Sequence, residues 1–364
     1  MKFYTTLFSL LFLFPAWTIN GQKIPDYTLE QKLDILCERQ YEDGNFPGLS
    51  VMVAYQNELI FSKGLGYANI EKGNPVIPDK TLFRIGSISK SLTAAGLAKL
   101  VESNTIDLDD PIQKYVPYFP DKKFEITIRD LACHLAGIRH YRGLEYLSNI
   151  EHADVRSGIH IFQNDELIVE PKSQFKYSSY GWNLISAAIE GASNESFLPY
   201  MQKEVFIPLE MKHTFAEKGD LSNENIVGFY KHNEQNRIMT EIQVNNSYKW
   251  AGGGFLSTAE DLIKFAKGIM RNRLYNPGTR DLFWTSCELA DGSLTNYGLG
   301  WFDNVDDDGR KMVGHSGGSV GGTSMLLIYP DEELIVVTLV NLSSAKMDNL
   351  ARQLASTVLK NDAE

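Results

Sequence analysis

Strand-type hydrophobic runs cluster at the two ends of the chain, and helical periodicity fills the middle. Leu49 to Tyr55 and Leu59 to Leu65 flank Gln56-Asn57-Glu58, which predicts a hairpin. Thr323 to Tyr329 and Leu334 to Val340 form a second such pair around Pro330-Asp331-Glu332-Glu333. Ahead of the first pair, Leu29, Leu33, Leu36 and Cys37 recur at helical spacing between Tyr27 and Tyr41, and after the second, Met347 to Leu359 reads as a terminal helix. An isolated hairpin is marginal in water, so the two ends are expected to build one antiparallel sheet flanked by the N- and C-terminal helices. Between them, Ser91 to Val101, Ile128 to Leu135 and Trp182 to Glu190 carry helical patterns. The predicted fold class is α/β (α+β): a discontinuous sheet domain over residues 22–86 and 247–364, with residues 87–246 inserted as a mainly helical domain. A cleft between the two is the natural place for a small-molecule site.

One hydrophobic run fits neither pattern. Met1-Lys2, the apolar stretch Leu7 to Trp17 and polar Asn20-Gly21-Gln22 match a secretory signal, with cleavage expected near Gly21 and residues 1–21 removed. The run is too short to span a bilayer comfortably, and the absence of arginine from the first 35 residues argues against a mitochondrial leader. The mature protein is therefore expected in a periplasm or outside the cell, with no membrane span. At 364 residues, 43% hydrophobic and 22% charged, the chain is an ordinary globular protein of one large domain or two. Its net charge of -11 comes without any Lys/Arg-rich segment, which argues against nucleic acid as a partner. Cys37, Cys133 and Cys287 show no metal-ligand spacing and read as structural; export permits one disulfide, and the sequence does not choose the pair. No metal or organic cofactor is expected.

The candidate chemistry begins with Ser-x-x-Lys, which occurs at Ser87/Lys90, Ser173/Lys176 and Ser343/Lys346. Only Ser87 follows a strand-type segment (Thr81 to Ile85) and a glycine, and only Ser87 opens a long helix-forming run. At a helix start, free backbone N–H groups and the positive end of the dipole favour the oxyanion of an acylated serine. A lysine at i+3 lies on the same face and reaches the hydroxyl, removing its proton directly if burial depresses the lysine pKa, or by stabilising a neighbouring phenolate. A serine in this place also caps helices, and the motif alone leaves both roles open.

The stretch Phe83-Arg84-Ile85-Gly86-Ser87-Ile88-Ser89-Lys90-Ser91-Leu92-Thr93 resembles the nucleophile motif of the serine β-lactamase and penicillin-binding-protein superfamily. Further marks follow in order: Leu108-Asp109-Asp110-Pro111, Leu131-Ala132-Cys133-His134-Leu135-Ala136-Gly137-Ile138, Phe175-Lys176-Tyr177-Ser178-Ser179, Ala251-Gly252-Gly253-Gly254-Phe255-Leu256-Ser257-Thr258, Tyr297-Gly298-Leu299-Gly300-Trp301 and Gly314-His315-Ser316-Gly317-Gly318. Ser-Ile-Ser-Lys-Ser-Leu-Thr, Gly137-Ile138-Arg139-His140-Tyr141 and the run Asn246 to Gly254 are most similar to the mitochondrial serine β-lactamase-like proteins and their bacterial relatives, a subgroup associated with peptidase or esterase activity.

The resemblance implies a β-lactamase/transpeptidase-like fold and an acyl-enzyme on Ser87. It makes Tyr177 the general base and later proton donor, helped by an adjacent Lys90 ammonium. It also makes His315-Ser316-Gly317 the strand that lines the cleft, with Gly318 supplying an oxyanion N–H beside that of Ser87. Two departures bear on substrate. His315 stands where β-lactamases usually have lysine, which leaves less fixed charge for a substrate carboxylate and implies weak β-lactamase activity. Ser179 stands where asparagine is common, and its hydroxyl has a shorter reach than the amide. In the resemblance the histidine at 134 is structural. Asp306-Asp307-Asp308-Gly309 lacks the later spacing of a cation loop and reads as an acidic turn. The leading expectation is hydrolysis of a small peptide, amide or ester. A D-alanyl carboxypeptidase or transpeptidase, and a non-catalytic sensor or self-assembling protein, are the alternatives, and a homo-oligomer is left open.

Overall fold

The computed structural model describes residues 27–219 and 221–362, so the expected export signal lies outside the described residues. The first helix, α1 (Leu29–Gly44), starts at a capping box in which the Thr28 side chain accepts the Gln31 N–H and the Gln31 side chain accepts the Thr28 N–H. It ends where Asn45 turns left-handed, at φ 46°, and returns its N–H to the last carbonyls. The remaining helices are α2 (Ile88–Glu102), α3 (Ile128–Ala132), α4 (Val155–Ile159), α5 (Ser179–Ser193), α6 (Phe197–Met201), α7 (Trp250–Gly253), α8 (Ala259–Met270), α9 (Pro277–Trp284) and α10 (Asp348–Asn361).

The strands are β1 (Gly48–Tyr55), β2 (Glu58–Asn69), β3 (Asn74–Pro75), β4 (Phe83–Arg84), β5 (Phe215–Ala216), β6 (Tyr230–His232), β7 (Ile238–Thr240), β8 (Phe255–Ser257), β9 (Phe302–Val305), β10 (Lys311–Ser319), β11 (Gly322–Tyr329) and β12 (Leu334–Val340). Seven of them form the main antiparallel sheet in the order β3-β2-β1-β12-β11-β10-β9. As expected, both predicted hairpins join one sheet. Its centre is the pairing of β1 with β12, in register from Leu49↔Val340 to Tyr55↔Leu334. Gln56 and Asn57, at φ 47° and 70°, make the tight β1–β2 turn.

Alternation sorts the strands' side chains between two cores. Val51, Val53, Val336 and Val340 pack with Leu33, Cys37, Leu350 and Leu354 under α1 and α10. Met52, Ala54, Val337 and Leu339 point the other way, into a larger core shared with α2, α5 and α8. With both faces covered, the central strands read as nearly unbroken apolar runs. The stretch 87–246 contributes α2–α6, the expected helical insert, together with the short strands β5, β6 and β7. The predicted helix from Ile128 to Leu135 stops at Ala132, because His134 takes a left-handed conformation at φ 60°. Cys133 is bonded to Cys287, which makes the pairing left open by the sequence, and Cys37 is a buried free thiol whose pKa burial raises to about 12. Among the described residues, no helix is long and apolar enough to cross a membrane.

Candidate active site

Ser87 sits at the N-cap of α2, at φ −67° and ψ −8°, and its side chain makes no capping hydrogen bond. The hydroxyl is therefore not spent on capping the helix, one of the two roles the sequence left open. Gly86 brings the chain to it at φ 49°, and a β-carbon on Gly86 would lie 2.7 Å from both the backbone N and O of Gly318. Only glycine permits this approach, which sets β10 beside the start of α2. The other two Ser-x-x-Lys pairs are absorbed by turns: the Ser173 hydroxyl donates to Glu170 O, and the Ser343 hydroxyl donates to Glu241 while accepting from Gly321 N.

Lys90 is fully buried one turn into α2. Its Nζ lies 3.0 Å from Ser87 Oγ and 3.0 Å from Ser179 Oγ, and donates to Gly252 O at 2.6 Å. Burial, reinforced by the charge of Lys249, holds its pKa well below the ordinary lysine range. The geometry suits the neutral amine. Gly252 O can only accept, so an amine donates to Gly252 O and Ser179 Oγ and keeps its lone pair for the Ser87 hydroxyl proton. Ser179 thus takes up the lysine contact for which an asparagine was missed in the sequence.

Tyr177 precedes α5, which is capped by the Ser178 hydroxyl accepting from Gly181 N. Lys90 Nζ is 4.7 Å from the centre of the Tyr177 ring. Burial raises the phenol pKa, and a hydrogen bond with Ser87 offsets only part of that. The sequence left open whether lysine takes the serine proton directly or supports a Tyr177 phenolate; burial drives Lys90 and Tyr177 alike towards their neutral forms, which favours the direct route. The backbone that carries Tyr177 is held from below by two histidines. His134 Nδ1 accepts from Ser178 N at 3.0 Å with its ring 4.2 Å from that of Tyr177, and His140 Nδ1 accepts from Ser179 N at 3.1 Å.

His315 lies on β10 and is 4% exposed. Its Nδ1 is 2.6 Å from Ser316 O, which can only accept, so Nδ1 carries the proton and Nε2 accepts from the Tyr297 hydroxyl at 2.8 Å. Burial lowers its pKa to about 3, and any proton on Lys90 would lower it further. His315 is thus neutral at physiological pH, with both ring nitrogens engaged by the protein. Gly317 packs against Ile85 O, whereas Ser316 is exposed and, by strand alternation, faces away from His315 and Gly317, towards Met325 and Arg352. Gly318 is the exposed last glycine of the strand, and its backbone borders Gly86 as described. The acidic turn is as expected, with Arg310 closing it on Asp306 and Asp308.

Three site features went unread in the sequence. Tyr297 engages His315. Arg84 and Glu217 form a buried ion pair at 2.6 Å next to the nucleophile loop. Lys249, 5% exposed, places a second cation near Lys90. Tyr297 and Lys249 both lie inside stretches that carried the family resemblance, but nothing local marks a lysine as buried.

The Beta-lactamase family model matches residues 33–359. The chain belongs to the beta-lactamase family. This family member is 32% identical to the human (Homo sapiens) mitochondrial serine beta-lactamase-like protein LACTB, over 84% of the chain and 72% of that protein. It is 27% identical to penicillin-binding protein 4* of Bacillus subtilis, over 85% of the chain and 71% of that protein. Among solved structures, the octameric penicillin-binding protein homologue from Pyrococcus abyssi superposes with a TM-score of 0.79 at 27% identity, covering 91% of this chain and 77% of that one. The sheet with its two terminal helices and helical insert is the fold of this family, and the chain is a serine hydrolase of the beta-lactamase family.

Proposed function

We propose that the protein hydrolyses a small ester, amide or peptide through an acyl-enzyme on Ser87. The observation that carries this reading is the Lys90 amine, 3.0 Å from Ser87 Oγ, buried, and already donating to Gly252 O. Ser87 Oγ attacks the carbonyl carbon as its proton passes to Lys90 Nζ. The oxyanion forms at the start of α2, between the backbone N–H groups of Ser87 and Gly318. Tyr177, a neutral phenol beside Ser87 and Lys90, relays the proton to the leaving group, and water then releases the acyl group by the reverse path. With His315 neutral and engaged by Tyr297, the strand offers no cation at the position β-lactamases use, so β-lactam turnover should be weak.

Labelling with a fluorophosphonate, alongside turnover of ester and peptide panels by wild type and Ser87→Ala, tests the reading. Labelling confined to wild type and loss of turnover in the variant are expected; equal turnover by both would sink it. We further propose export. The N-terminal pattern supports it, as does the Cys133–Cys287 bond, since disulfides persist in oxidising compartments. Mass spectrometry of the mature N-terminus checks this, and an intact Met1 to Gln22 segment on the functional protein would refute it.

A further inference from the structure

Lys249 is a buried cation without a partner. It is 5% exposed, and among the described residues its side chain makes no hydrogen bond and no ion pair. Its surroundings are two aromatic faces, with Nζ 5.2 Å from the centre of Tyr141 and 5.3 Å from that of Tyr248. Ring faces compensate a desolvated ammonium only in part. The neighbouring carboxylates are already taken. Glu217 accepts from Arg84 through both oxygens and from Asn246, and Glu145 accepts from Arg139 through both oxygens and from Tyr180. Burial and the charge of Arg84 lower the Lys249 pKa to about 8, which still leaves most of the ammonium charged at neutral pH.

This lone ammonium adjoins the catalytic groups. The Tyr141 ring beside Lys249 lies 4.2 Å from that of His140, which accepts from Ser179 N, and Ser179 Oγ is 3.0 Å from Lys90 Nζ; the charge of Lys249 reaches both Lys90 and His140. Ser87, His140, Tyr141 and Tyr177 are each partly exposed, so this side of the site opens to solvent. A buried charge is tolerated when something pairs with it; Glu217 attracts Lys249 from a distance but is bonded to Arg84, and no acceptor of the protein hydrogen-bonds the ammonium among the described residues.

We propose that Lys249 is the anion anchor of the cleft, receiving a carboxylate carried by the substrate whose carbonyl Ser87 attacks. The proposal rests on the serine-hydrolase reading above. It moves recognition of the substrate's negative charge from the β10 strand, where His315 is neutral, to the segment between Tyr248 and Trp250. The substrate class is an acyl or peptidyl compound bearing a carboxylate on either side of the scissile bond.

Two matched ester pairs test it: 4-nitrophenyl hemisuccinate against its methyl ester for the acyl side, and 3-(butyryloxy)benzoate against its methyl ester for the leaving side. Wild type should favour the acid in at least one pair by about tenfold or more in kcat/KM, and Lys249→Met should bring that ratio close to one. The ratio cancels any general loss of rate. Equal rates within both pairs for wild type, or a preference that survives Lys249→Met, would overturn the proposal. Turnover of the neutral esters, lost in Ser87→Ala, reports separately on the serine-hydrolase reading. A readout free of catalysis is thermal stabilisation by succinate but not by succinamide, present in wild type and absent in Lys249→Met; no stabilisation of wild type together with no acid preference refutes the anchor. Met keeps the stem volume and removes an unpaired charge, so the variant should melt no lower than wild type, and Lys249→Gln repeats the series if it does not fold.

Discussion

Arg84 and Glu217 hold together the parts of the chain that meet at Ser87. Arg84 Nε and Nη2 donate to the two Glu217 oxygens at 2.8 and 2.6 Å, Arg84 Nη1 donates to Val320 O at 2.6 Å, and Asn246 Nδ2 donates to Glu217 at 2.8 Å. Both charged side chains are 2% exposed. Glu217→Gln keeps the shape and removes the charge, leaving Arg84 with Val320 O and the Phe229 face 3.6 Å from its Cζ. Breaking a buried pair from one side costs about 3–5 kcal/mol. With an unfolding entropy of about 2.1 cal/mol/K per residue, or about 0.8 kcal/mol/K for a chain of this size, that loss lowers the Tm by about 4–7 °C. Calorimetry or circular dichroism on purified protein measures it. Replacing both partners by apolar residues, as Arg84→Met with Glu217→Leu, should recover most of the loss, because neither member of the pair is then left buried alone. A Glu217→Gln Tm within about 1 °C of wild type, or a double variant no better than the single one, would refute the reasoning.

Other predictions follow from the same geometry. Because Lys90 acts as the free amine, kcat/KM for a neutral ester should rise with pH through its lowered pKa and level off above; Lys249→Met removes a neighbouring positive charge, so this acid limb should move to higher pH, and an unmoved limb would contradict the assignment. The site histidines 315 and 140, held near pKa values of about 3 and about 4, should add no limb between pH 5 and 8, which His315→Gln and His140→Gln profiles check. Gly86→Ala forces a methyl to 2.7 Å from the Gly318 backbone at a left-handed φ, so kcat/KM should fall by about 10²-fold as the oxyanion donors separate, a loss to be read on the same ester. The Cys133–Cys287 bond spans 154 residues of sequence, so reduction should cost about 2–5 kcal/mol, seen as a lower Tm with dithiothreitol; an unchanged Tm would show that the bond does not constrain the unfolded chain.

The amino-acid pattern by itself determined where the elements lie and which serine is the candidate nucleophile. Apolar runs and turn residues are short-range signals, so β1, β2, β11, β12 and the terminal helices were legible, and Gly86-Ser87 ahead of a helical run singled out one Ser-x-x-Lys from three. The tertiary structure decided the chemistry of those residues. Burial pushes Lys90 towards its neutral form because α5 and α7 close over it from chain positions about 90 and 160 residues away, and His315 is unavailable because Tyr297 takes its second nitrogen. The disulfide partner of Cys133, the outward turn of Ser316 and the isolation of Lys249 were equally hidden. Secondary structure follows from neighbours in sequence, whereas burial, pairing and pKa sum over groups that only the fold brings within a few ångströms of each other.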